Sequence, residues 1–131
     1  SSSTVTVDYS CREGGTATFQ GSYEAQGDQS SGEADAELSV DFNGCTANGT
    51  TIDGHLDFAS TVQSDQSGGS VTFDYSGNLI WTGQVNGSCM IDMSGETSSG
   101  SSSVSMSYSG TICGYDASQA LGLRSSYSAN Y

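Results

Sequence analysis

The chain has 131 residues, 34% of them hydrophobic, with 18 Gly, no Pro and a formal charge of -13 from 15 acidic and two basic residues. That length indicates a single domain, 1-131, with enough chain to build a core. The charge excludes binding to nucleic acid, whose phosphates demand Lys and Arg. It also disfavours anionic membrane surfaces. No run approaches the roughly 20 apolar residues that insertion across a bilayer requires. The chain does not begin with Met, which reads as a mature form that has lost an export signal, or as a trimmed piece.

Seven short runs then alternate with a period of two, the mark of strands with one buried and one wet face. Val5, Val7, Tyr9 and Cys11 share a face in the first; Ala17, Phe19, Gly21, Tyr23 and Ala25 share one in the second. The third, "GEADAELSVDF", sets Ala34, Ala36, Leu38, Val40 and Phe42 against Asp35, Glu37, Ser39 and Asp41. Ile52, Leu56, Phe58 and Val62 make the fourth run, and Val71, Phe73 and Tyr75 the fifth. Around "LIWTGQV" both parities are apolar, as in a strand covered on both faces or one carrying a bulge. Ile91 with Met93, and Val104 with Met106 and Tyr108, complete the set.

Turn signals separate the runs: "EGG", "GDQSSG", "NGCTANG", "DQSGG", Asn86-Gly87 and "GETSSGSSS". "DASQALGLR" (Asp116 to Arg124) is the one helical candidate. The expected fold is therefore all-β, an antiparallel meander of about seven strands forming a small sandwich or barrel. Residues 1-10 could act as an exchangeable N-terminal strand, and 119-131 reads as an irregular tail.

Apolar residues should face apolar residues across the strands. This pairs Tyr9 with Phe19, Phe19 with Val40, Val40 with Ile52, Phe58 with Tyr75, and Ile91 with Met106. On the wet side the same register sets Ser39 against Asp53, Glu37 against His55, and Asp35 against Asp57. The four cysteines lack Cys-x-x-Cys spacing and there is one His, so zinc is not indicated. An even count in an acidic Ser/Thr/Gly-rich chain reads as two disulfides formed in an oxidising compartment. The strand ends favour Cys11–Cys45 and Cys89–Cys113. "GGTATF" and "GGSVTF" echo each other, each leading towards a Cys, as a degenerate two-fold repeat would.

The acidic strands raise a metal question. Asp35, Glu37, Asp41, Asp53 and Asp57 are the candidate ligands, with calcium the ion that carboxylates would suit. A flat strand face seldom supplies six to eight converging oxygens, and no "DxDxDG" loop occurs; a solvated skin that keeps the sheet from aggregating explains the same residues. No catalytic residue is assigned: "GxSxG" and "HExxH" are absent, and His55 sits mid-strand. Asn48-Gly-Thr50 and Asn86-Gly-Ser88 match glycosylation sequons, but Asn-Gly turns account for both. Tyr9, Tyr23, Tyr75 and Tyr108 follow the inward parity and read as core; Tyr115, Tyr127 and Tyr131 fall outside it.

These features suggest a non-enzymatic secreted or cell-surface structural protein, a self-assembling subunit of a filament or surface layer. Its partner would be itself, joined by strand addition through Val5, Val7 and Tyr9 or through Tyr127 and Tyr131. The alternatives are a monomeric extracellular module binding carbohydrate or a small apolar ligand, and a calcium-dependent adhesive module. No other cofactor is indicated.

Overall fold

The computed structural model describes residues 2–100, 103–117 and 126–130, the last as backbone only. Strands run in chain order as β1 (Ser2–Ser10), β2 (Thr16–Gly27), β3 (Ser31–Ala47), β4 (Thr50–Asp65), β5 (Gly68–Gly83), β6 (Gly87–Ser99), β7 (Ser103–Ile112), β8 (Tyr115–Asp116) and β9 (Ser126–Asn130). All pair antiparallel in one sheet, in the order β1 through β8, with β9 also beside β7. The expected all-β meander is what the chain forms. Its strands lie in a single sheet with β1 and β8 at opposite ends of the path, in place of the closed barrel or two-sheet sandwich that burial of one face had suggested. The tail expected to be irregular contains β9. The helical candidate lies, from residue 118 onward, outside the described residues.

Register explains how one face stays apolar. Val7 lies across from Phe19, Phe19 from Val40, Val40 from Leu56, Leu38 from Phe58, and Phe58 from Tyr75. Further on, Tyr75 faces Met93 and Ile91 faces Ile112. Residues directly opposite share a face, so the apolar positions of β1 to β7 form one continuous surface. Not one of them carries a charge. Three expected pairs move by an even number of residues: Tyr9 meets Ala17, Val40 meets Leu56, and Met106 meets Thr97. An even slip preserves the face, so the hydrophobic pattern alone does not detect it.

The ends of the strands hold this register. Asn48 and Gly49 both take positive φ, 53° and 77°, as a two-residue hairpin turn demands. Asn86 works differently: its side chain accepts from the Gly83 amide at 3.1 Å and donates to the Gly83 carbonyl at 3.0 Å. A bulge between Phe42 and Cys45 sets Asn43 and Gly44 against the single residue Asp53, whose carboxylate accepts from the Gly44 amide at 2.7 Å. The extra residue flips the parity of β3, placing Cys45 on the same side as Phe42. Cys11 waits there, and the Cys11–Cys45 bond closes with a Cα separation of 5.4 Å. Cys89–Cys113 pins the far end at 4.3 Å. Both pairings are those expected.

Around "LIWTGQV" the pairing of β5 with β4 and β6 is unbroken, so no bulge occurs there. Nor is the strand covered on both sides: Ile80 is 46% exposed among the polar residues. Among the described residues the buried apolar ones are Cys11, Ala17, Val40, Cys89, Met93 and Ala117, and no large side chain is fully enclosed. A single sheet half-covers its own side chains and goes no further.

Candidate functional site

Opposite the apolar surface, the alternate residues form a face of hydroxyls and carboxylates. Serine pairs link strands across it: Ser98 to Ser105 at 2.7 Å and Ser94 to Ser109 at 3.1 Å between β6 and β7. On β3 and β4, Ser39 donates to Asp57 at 2.7 Å, Thr61 to Asp35 at 2.7 Å, and the Gln63 amide to Glu33 at 2.6 Å. Thr18 of β2 donates to Asp8 of β1 at 2.9 Å.

One arrangement on this face joins unlike charges. Asp41 sits directly across from His55, and Asp57 lies two residues along the same strand, on the same side. Nδ1 of His55 reaches Asp41 at 2.5 Å and Nε2 reaches Asp57 at 2.8 Å. A carboxylate only accepts, so both contacts are hydrogen bonds only when both ring nitrogens carry protons. The imidazolium is therefore the form that fits. Its pKa is raised above the usual histidine value, first by the hydrogen bond to Asp41 and then by that to Asp57. Asp57 is lowered, first by the Ser39 hydroxyl and then by His55. With 44% of the His55 side chain exposed, solvent screens the pair and its contribution to stability is modest. With both nitrogens engaged, His55 offers neither a free base nor an open ligand. It works as a cross-strand clasp.

The expected pairs on this face shift with the register: Ser39 meets Asp57, Glu37 meets Ala59, and Asp35 meets Thr61. Of the metal candidates, Asp41 and Asp57 converge on His55, Asp53 caps the bulge, and Asp35 takes the Thr61 hydroxyl. Among the described residues no three His, Cys, Asp or Glu side chains come together in a way that could hold a metal ion. Hydrophobic alternation alone sets His55 against Glu37 and so does not reveal the clasp, in which His55 faces Asp41. Counting back from the Asn48-Gly49 turn brings His55 to within one residue of Asp41, and the bulge supplies the difference.

Two further carboxylates serve turns. Asp28 accepts from the Ser30 amide and hydroxyl and the Ser31 amide, which lowers its pKa, the Ser30 amide contributing most. Asp65 accepts from the Ser67 hydroxyl and amide and is lowered in the same way. Near these turns lies an open hollow of about 520 Å³, whose walls include Gln26, Ser31, Glu33, Gln63, Asp65 and Ser99 and no aromatic or aliphatic side chain. It offers no apolar cradle for a small ligand.

Of the expected subunit contacts, Val5, Val7 and Tyr9 are 61%, 51% and 57% exposed on β1. The backbone of Tyr127 lies in β9, in register with Met106; Tyr131 is outside the described residues. No helix among the described residues is long and apolar enough to cross a membrane. No protein-family model matches the chain, and comparison with curated proteins and with solved structures finds no match.

Proposed function

We propose that this chain is a non-enzymatic extracellular structural protein, a subunit that joins copies of itself edge to edge into a filament or layer. The observation that carries the reading is β1. It is nine residues long, stands at one end of the sheet, and bonds only to β2. Its sequence, "SSTVTVDYS", is rich in β-branched residues and holds no Lys or Pro, two residues that commonly guard such an edge. Its outer backbone groups can pair with another strand. The edge at the far side of β7, held by β8 and β9, differs from it, so a β1-to-far-edge contact is head to tail, the type of contact from which open filaments are built. The two disulfides are compatible with an oxidising extracellular setting.

Deleting residues 1–9 tests this. The shortened protein should lose its polymers in negative-stain images and sedimentation, and should capture a synthetic peptide of residues 2–10. Polymers that survive the deletion would overturn the role of β1, and a native protein that stays monomeric at high concentration would overturn the whole reading and leave the monomeric binding module in its place.

A further inference from the structure

We infer that the apolar face of the sheet is an interface for a second copy of this chain, the two sheets packing face to face into a sandwich. The face runs without a charged residue from Val5 and Val7 of β1, through Leu38, Phe58 and Tyr75, to Tyr108 of β7. A sheet that is apolar on one side needs another layer over that side. Among the described residues no second layer is present: β1 to β9 all belong to the one sheet.

Area identifies the occupant. The chain exposes 8347 Å². A compact monomer of its 13.4 kDa mass exposes roughly 6,500 Å². The excess, about 1,900 Å² per chain, exceeds the roughly 800 Å² that each partner hides in a standard interface and falls in the class of obligate pairs. Charge points the same way. Each copy carries -13, with its strand carboxylates on the opposite face. Apolar-to-apolar packing turns both acidic faces outward, whereas acidic-to-acidic stacking sets like charges together and acidic-to-apolar stacking buries carboxylates without partners. Sheets in such a pair lie about 10 Å apart, a gap the facing side chains fill.

This contact is separate from edge-to-edge joining, and one variant tells them apart. Val62 and Val71 pair across β4 and β5 and are 43% and 37% exposed in the lone sheet. Aspartate at both positions costs a single sheet modestly, through like-charge repulsion across the pair, yet leaves unpaired charges inside a sandwich. Native protein in micromolar solution should contain a species of twice the 13.4 kDa chain mass, by sedimentation and native mass spectrometry. V62D/V71D should weaken that pair by at least about 100-fold. Trp81, on the same face, should shift its emission to the red in the variant. Strand signal in circular dichroism and both disulfides serve as the folding check. If V62D/V71D does not fold, Val71→Lys alone and dilution-dependent Trp81 emission of the native chain give the same reading. A native chain without the paired species, a variant pair of unchanged affinity, or monomers that bind phosphatidylcholine vesicles instead would overturn the inference. Residues 10–131 that still pair but no longer polymerise support it. Polymers of the native chain built as single-layer sheets would sink the pairing and leave edge joining intact.

Discussion

Phe73 of β5 and Tyr108 of β7 are two strands apart, yet their rings meet with centroids 5.7 Å apart, over Gly95 of β6. The absence of a side chain at Gly95 permits this: a Cβ there would stand 2.4 Å from Phe73 Cζ and 3.0 Å from Tyr108 Cδ1. Phe58 extends the group on the other side, stacked on Phe73 at 6.5 Å and edge-on to Tyr75 at 5.5 Å. Aromatic pairs of this kind contribute about 0.5–1.5 kcal/mol beyond their buried area. They link β4, β5 and β7 on the apolar face.

Gly95→Ala should therefore destabilise the fold by about 1 kcal/mol, since the clash is with the tip of a ring that can turn aside. In a Phe73→Ala background the same change should cost much less, because the ring is gone. Gly77→Ala is the contrasting case: φ is +150° and the Cβ would lie 2.1 Å from the His55 carbonyl oxygen, which is backbone and cannot turn away. Its cost should reach about 3 kcal/mol. Urea unfolding of the four variants checks both statements; an unchanged Gly95→Ala penalty without Phe73 would show that the rings are not its source.

The His55 clasp predicts a pH dependence with a definite sign. The folded pKa is raised, so the folded state holds the proton more tightly than the unfolded one. The contribution is fully present below the unfolded value, about 6.5, and disappears as pH rises through the folded value. Stability should thus fall slightly across that window in the native protein and stay flat there in His55→Ala. Asp41→Asn should bring the His55 titration, followed by NMR, back towards the ordinary range. At the acid end the sign reverses: the lowered Asp28, Asp57 and Asp65 stabilise above the unfolded carboxylate value and lose that contribution as pH falls through their folded ones.

The disulfides should act as separate local staples. They span 34 and 24 residues, and chain entropy gives each about 3–4 kcal/mol. Removing Cys11 and Cys45 together should free the turn between β1 and β2, which is tied to β3 by the Glu13 backbone amide donating to the Thr46 carbonyl at 2.9 Å. Hydrogen exchange should then rise in β1 and β2 and leave β6 and β7 protected. A uniform rise across the sheet would mean that the staple acts on the whole fold.

The face of each strand was legible in sequence because period two needs no knowledge of neighbours. Val40, Phe58 and Tyr75 sit where alternation put them. Register was only partly legible. Ile91 pairs with Ile112, not Met106, because β6 runs through the serines to Ser99 and turns late. Serine and glycine read locally as loop, while hydroxyl pairs such as Ser98 with Ser105 hold them as strand. The closed core was expected from the sheer number of inward apolar residues. Pairing forces exist within a sheet whether or not a second layer belongs to the same chain, and sequence periodicity does not say which chain supplies that layer.

The acidic face makes a last prediction about ions. Asp35, Asp41, Asp53 and Asp57 each already bond to a hydroxyl, an imidazole or an amide, and the described residues hold no group of three positioned for a metal. The net charge of -13 nevertheless works against both folding and association through long-range repulsion. Salt should relieve that repulsion, since the Debye length shrinks from about 10 Å at 0.1 M to 3 Å at 1 M. Raising ionic strength should therefore increase both the melting temperature and the assembled fraction. Calcium, magnesium and sodium chlorides should act alike at matched ionic strength, read by calorimetry and sedimentation. An excess effect of calcium that Asp41→Asn or Asp57→Asn abolishes would instead establish a specific site, with His55 displaced from between its two carboxylates.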